Sequence, residues 1–592
     1  MIRRTRAQLE GLVNSRSATE RVTLADLATV ATGIVALLVF AEAIATAVAL
    51  HTNLPYYDEW ATVADFGRLR AGDYGLADWF AQHNEHRPAF PRLVLFADFQ
   101  FFGGQGYLYP AVNITLQFAE SVVLSAAAFG LYMQQRIGMR TFVVCCAAAL
   151  ALQFTTAQIE TFIIPFQVLW TIGYTAGTGA LAALAAAHSA KRPRVRTGLV
   201  GVAVALAIVS QYSVANGIWV WALLAIMAWW LRAPRAWLIT IVTAGIICSA
   251  AYFAGYSQPA ESQDPVASLA RPDRVVDFAL VVIGGPVLPM LGQQAARLLG
   301  AVGLVGIGLV LAQAMRRRDR AEGATTLLVA QVLFSSLTIG LIAVGRSPLG
   351  IGAAEAPRYV MPAATLWTCI VILASASTGG FRVVRGARLA GIVAGAFLVT
   401  TALGSAWWAV QPWADTFDNL EATSDAIRVG VYDDSALIRL YPAPGDIKAF
   451  VPILKRYDLS VFRGDDLSEL LDTPLANRYV ISSNDCRGFF DTTLDARSPA
   501  GAGVSGWAWD LSRDARPSTV LIAGPDGIIR GIATASTSRV DVALAVPEVT
   551  AVDSGWFGYS RPTGGPGRAY AVMGAGVVCA LEGEHEVVAT PS

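Results

Sequence analysis

Apolar runs of about twenty residues, separated by loops whose charge alternates, constrain this chain more than any other feature. A run of that length crosses a bilayer as a helix. The first extends from about Ala25 to Leu50. Further runs lie near 109–134, 141–157, 166–188, 197–214, 218–231, 236–255, 291–315, 325–344, 361–380 and 389–410, which makes about eleven spans. A soluble chain carries about 25% charged residues. Here the share is 15%, with 54% hydrophobic residues and a mean hydropathy of +0.49.

The charges between the runs set an orientation. Arg3, Arg4, Arg6, Arg16 and Arg21 precede the first run. Arg136/Arg140, Lys191 to Arg196, Arg232/Arg235, Arg316 to Arg320 and Arg382/Arg385/Arg388 then fall in alternate loops. Basic loops stay in the cytoplasm. Residues 1–24 are therefore expected to be cytoplasmic, the loop 51–108 to face outward, and everything after 410 to be exported. No small-residue cleavage site follows the first run, so it reads as a retained helix. Val275 to Met290 is short and broken by Gly284-Gly285-Pro286; counting it as a span would invert every later loop. It is expected to be interfacial or re-entrant. A formal net charge of +0 gives no reason to expect nucleic acid.

The exported part divides at Cys486. Residues 411–485 mix helical pattern with short apolar runs and read as a small α/β connector. Residues 486–592 alternate β-branched runs with Gly, Pro and Asp turns, as in Ser518 to Ile522 followed by Gly524-Pro525-Asp526-Gly527, which suggests a β-sandwich. Gly506-Trp507-Ala508-Trp509-Asp510, Arg539 to Ala543 and Gly555 to Gly558 resemble strands of jelly-roll modules on bacterial cell-surface glycosyltransferases. Such modules often bind carbohydrate, which would give Trp507, Trp509 and Trp556 a glycan-stacking role; core packing is the alternative. Cys486 and Cys579 alone lie in the exported part, where an oxidising compartment would let them pair. Cys145, Cys146, Cys248 and Cys369 fall inside spans.

The chemistry is concentrated in the outward loops. Asp58 and Glu59 follow the first span, where one carboxylate can deprotonate a hydroxyl while the other orients it. His83-Asn84-Glu85-His86-Arg87 closes the same loop. Read as helix, its histidines at i and i+3 share a face. Zinc ligation is open to such residues, but the spacing is not that of a helical zinc motif. Hydrogen bonding to phosphate or sugar oxygens fits better, with Arg87 bidentate. Gln158, Glu160 and Gln167 flank an aromatic stretch, Asn216 lies in Ala215-Asn216-Gly217, and Arg346, Arg358 and Tyr359 stand between later spans. Arginines at apolar helix ends call for an anionic partner or snorkel to the headgroups. Glu42 and Glu120 lie within spans and either line the same cavity or pack helices.

This ordered set resembles the GT-C superfamily of integral-membrane glycosyltransferases, whose members carry an acidic motif directly after the first helix. The resemblance covers roughly residues 25–410 and extends to bacterial members linked to cell-surface polysaccharides. It implies a multi-pass protein of the bacterial plasma membrane that moves a sugar from a polyprenyl-phosphate donor to a cell-envelope glycan or glycolipid. Carried onto this chain, Asp58 is the base and Glu59 its helper. Arg346, Arg358, Tyr359 and Arg87 hold the donor phosphate; His83, Glu85, His86, Gln158, Glu160, Gln167 and Asn216 hold acceptor or sugar. No cofactor is required, and some relatives use a divalent cation near the acidic motif. Many relatives have Asp-Asp or Glu-x-Asp where this chain has Asp58-Glu59, which leaves open which carboxylate is the base. An envelope-glycan transporter or assembly protein with a glycan-docking sandwich is the alternative.

Overall fold

The computed structural model describes residues 23–258, 268–316, 322–376, 382–464, 466–482, 485–494, 498–574 and 576–589. The N-terminal arginines Arg3 to Arg21 and the Arg317–Arg320 cluster lie outside them. Ten of the described helices are long and apolar enough to cross a membrane, and a shorter apolar segment spans Ala215–Trp230. The chain is a multi-pass membrane protein with a β-rich C-terminal domain.

The helices are α1 (Leu24–Ala49), α2 (Glu59–Ala71), α3 (Ala89–Phe102), α4 (Leu108–Met133), α5 (Met139–Gln153), α6 (Val168–Ser189), α7 (Pro193–Gln211) and α8 (Trp219–Trp230). After them come α9 (Arg235–Phe253), α10 (Pro272–Ile283), α11 (Leu288–Arg316), α12 (Gly323–Arg346), α13 (Val360–Ser375), α14 (Arg382–Val429) and α15 (Pro444–Arg456). Thr23 and Asp26 form a capping box that starts α1. Arg140 at the start of α5 reaches Asp26 at 2.6 Å, and Arg136 lies 3.5 Å from Glu322 before α12. These loops therefore meet at one end of the bundle. The loop 51–108 gathers with the starts of α6, α8 and α13 at the other.

The apolar segment 275–290 forms α10 and a tight turn that returns along α11. A Cβ at Gly284 would sit 1.9 Å from the Ala296 carbonyl oxygen, and one at Gly300 would sit 2.0 Å from that of Leu280. Only hydrogen at both positions lets the backbones come so close.

The region 411–485 differs from the expected α/β connector. The helix predicted to end near 410 continues as α14 to Val429, past Pro412, and helices follow until the short strand β1 (Val480–Ser482). The connector covers the loop 51–108: Ser460 donates its N–H to Gly103 O at 2.8 Å and its hydroxyl to Asn53 O at 2.5 Å. Gly67 of α2 packs on Ile453 of α15. Membrane helices, loop and connector share one apolar core.

The C-terminal strands are β2 (Cys486–Leu494), β3 (Ala502–Asp510), β4 (Val520–Ala523), β5 (Ile529–Thr537), β6 (Gly555–Ser560), β7 (Pro566–Gly574) and β8 (Val577–Glu586). Their order is β1-β8-β2-β3-β6-β5-β4-β7, and β7 also pairs with β8. The sheet therefore closes on itself like a barrel, in place of the expected two-sheet sandwich. Closure comes from β8, which pairs with β1, β2 and β7. Cys486 and Cys579 are joined by a disulfide with a Cα–Cα distance of 6.1 Å. Arg539 to Ala543, read as strand-like, falls instead largely within a helical turn, Val540–Ala545.

Candidate functional site

The turn that leaves α1 decides where the two leading carboxylates go. Tyr57 adopts a φ of 50°, and α2 begins two residues later. Asp58, still 38% exposed at its side chain, faces His83, whose Nε2 lies 3.6 Å from Asp58 Oδ2. Glu59 turns the other way and is buried. Its Oε2 accepts the Tyr56 N–H at 3.2 Å. Burial, and then the nearby Asp98 carboxylate, push the Glu59 carboxyl well above the usual range. Asp98 is itself raised by burial, although it accepts the N–H groups of Gly106 and Leu108 at 3.0 and 2.9 Å.

The segment His83 to Arg87 is not helical. His83 and His86 exchange both backbone hydrogen bonds, at 2.8 and 2.9 Å, across a turn in which Asn84 has a φ of 49°. Directly paired residues of such a ribbon point to the same face, so the histidines are neighbours for a different reason than the expected helix. His86 Nδ1 accepts the Ala215 N–H at 3.1 Å, which leaves the ring proton on Nε2. Desolvation pushes its pKa down to about 4, so the ring is neutral at pH 7. The His83 ring lies 4.7 Å from that of Phe166, and His86 6.5 Å from Trp170.

Two ion pairs flank this ribbon. Arg346 at the end of α12 meets Glu85 at 2.5 Å, and Arg358 before α13 meets Glu160 at 2.9 Å and lies over the Tyr359 ring. Burial works against ionisation of Glu85, yet the Arg346 guanidinium beside it helps hold its carboxyl below its ordinary value. Asp58, His83, Glu85, His86, Glu160, Arg346, Arg358 and Tyr359 thus gather at one end of the bundle. Among the described residues, no three His, Cys, Asp or Glu side chains form a group suited to hold a metal ion.

Other residues singled out in the sequence are placed differently. Arg87 is committed to backbone carbonyls: Tyr252 O and Phe80 O at 2.7 Å and Ala254 O at 2.8 Å. It fastens the loop to the end of α9 and offers no fork to a phosphate. Gln158 is fully buried and donates to Gln153 O. Gln167 Oε1 and Asn216 Nδ2 are buried without a hydrogen-bond partner among the described residues. Trp509 and Trp556 are 2% and 3% exposed, so neither presents a face to a sugar ring. Trp556 covers Gly506 on the adjacent strand, where a Cβ would come within 2.4 Å of its ring. Trp507, half-buried, packs with Trp509 and Val542.

Beneath the site runs a buried polar spine. Gln158 reaches Gln117 at 3.4 Å and the Gln153 backbone; the Gln153 side chain donates to Thr365 at 2.7 Å; Thr365 donates to Glu120 at 3.0 Å. Thr175 and Thr178 each reach Glu120 at 3.3 Å. Of these residues Gln158 and Glu120 stand out in the sequence; Gln117, Gln153, Thr175, Thr178 and Thr365 do not, because a lone polar residue in an apolar run does not announce what faces it. Glu42, half-buried on α1, has an Oε2 without a partner among the described residues. Comparison of the chain with protein-family models, with curated proteins and with solved structures found no match.

Proposed function

We propose that this protein is a GT-C-type membrane glycosyltransferase that moves a sugar from a polyprenyl-phosphate donor to a cell-envelope glycan or glycolipid at the extracytoplasmic face of the bacterial plasma membrane. The observation that carries the reading is that the Asp58–His83, Glu85–Arg346 and Glu160–Arg358 pairs share one end of the bundle. Asp58 accepts the proton of the acceptor hydroxyl. The acceptor oxygen bonds to the anomeric carbon as the bond from that carbon to the phosphate oxygen breaks. The electron pair leaves with polyprenyl phosphate, whose growing charge Arg346 and Arg358 stabilise as they turn from their glutamates. Glu59 acts through position, fixing the turn that aims Asp58. His83 and the neutral Nε2–H of His86 orient the acceptor.

The test uses purified full-length protein, a polyprenyl-phosphate sugar and a glycan acceptor. Asp58→Asn should lower the transfer rate by about 10²–10⁴-fold, the usual worth of a positioned base, with folding intact. Full transfer by that variant would end the proposal. A glycan transporter is the second reading, favoured by the buried spine at Glu120, since transporters place polar groups near the bilayer midplane. On that reading Glu120→Gln stops transport and Asp58→Asn leaves it unchanged.

A further inference from the structure

At the end of the bundle opposite Asp58, a cavity of about 580 Å³ opens between α8, α11 and α12. Leu223, Met227, Val310, Val329 and Leu333 make most of its wall apolar. Arg136, Glu322 and Thr325 form a polar rim. The volume falls within the roughly 300–1,000 Å³ of small-molecule sites, and a wall of this composition among spanning helices suits an acyl chain. The 24 residues of α12 separate this rim from Arg346. At 1.5 Å per residue that is about 36 Å, so the cavity serves the opposite membrane surface and is no part of the site around Asp58.

The rim says which head group fits. Arg136 donates to Thr325 Oγ1 at 3.0 Å and lies 3.5 Å from Glu322 Oε2. That Oε2 is buried and accepts no hydrogen bond among the described residues, although a buried carboxylate oxygen ordinarily has a donor. One cation and one anion side by side match a dipolar head group. A purely anionic head would bring its charge against Glu322, and a quaternary ammonium has no N–H to donate.

We infer that this cavity binds one phospholipid with a primary-ammonium head group, its acyl chain against α8, α11 and α12, its ammonium donating to Glu322 and its phosphate meeting Arg136. The inference is independent of any transfer activity. It is tested by thermal unfolding of the delipidated full-length protein in detergent with phosphatidylethanolamine, phosphatidylcholine or phosphatidylglycerol of identical chains. Phosphatidylethanolamine should raise the midpoint at a several-fold lower concentration than the other two. Glu322→Gln should bring it to the level of phosphatidylcholine, and Ala314→Trp, which fills the cavity, should weaken all three. Equal response of the wild type to phosphatidylethanolamine and phosphatidylcholine, or a preference for phosphatidylglycerol, overturns the head-group assignment. Unchanged phosphatidylethanolamine binding in both variants places the lipid elsewhere. If Ala314→Trp does not fold, the wild-type ranking and Glu322→Gln decide.

Discussion

The backbone turn at Tyr57 sends Asp58 toward His83 and Glu59 into the protein, so two adjacent carboxylates acquire different chemistry. Glu59 makes a testable contribution to stability. Folding raises its pKa, so the folded chain keeps this proton at pH values where the unfolded chain has lost it. The contribution is complete below the unfolded value of about 4.3 and disappears as pH rises through the folded value. Glu59→Gln should therefore flatten the fall of the thermal midpoint with rising pH; an unchanged slope would refute the assignment. Arg87 holds three carbonyls with one guanidinium, which a lysine cannot reproduce. Arg87→Lys should destabilise the loop by about 1.5–3 kcal/mol, the worth of one charged hydrogen bond, seen as faster protease cleavage between 80 and 88. The pairing of His83 with His86 was legible as proximity, but not as a turn. Asn tolerates a positive φ, and that signal at Asn84 was available.

At the scale of elements, the apolar runs were readable because length and composition alone decide membrane crossing. The α10 segment was readable as an exception because Gly284-Gly285-Pro286 breaks it. Its partner was not: that Gly300 must be glycine follows from the Leu280 carbonyl lying where a Cβ would be. Gly300→Ala should destabilise the protein by about 1–3 kcal/mol through overpacking. Gly308→Ala on the same helix meets nothing within 4 Å and should stabilise it by about 0.5–1 kcal/mol. Thermal unfolding of the two variants side by side checks the contrast. The end of α14 was misjudged because the rise in polarity after Trp413 marks a change of surroundings, while the helix itself runs on to Val429. There Asp425 accepts the Thr534 N–H at 2.7 Å and ties the helix to the sheet.

Across the whole molecule, the apolar core shared by the membrane helices, the loop 51–108 and the connector is distinct from the one inside the barrel, and a third cluster, with Ala426, Val429, Leu521 and Ile532, joins α14 to the sheet. The disulfide belongs only to the barrel core. It closes a sequence separation of 93 residues, so its loss should cost the β domain about 2–4 kcal/mol. Replacing Cys486 and Cys579 by alanine should speed proteolysis of residues 486–589 and leave the membrane helices resistant. Equal sensitisation of both parts would show that the cores are coupled.

The sequence by itself determined that this chain crosses a membrane many times, which loops share a side, and that a β-rich domain follows. Those properties depend on local hydrophobicity, charge and residue pattern. Only the tertiary structure decided that Arg346 and Arg358 are each held by a glutamate, that Arg87 is a fastener, that Trp509 and Trp556 are buried, and that β8 closes a barrel. Each of those depends on which distant residue lies within a few ångströms, and no local pattern of charge or hydrophobicity encodes that partner.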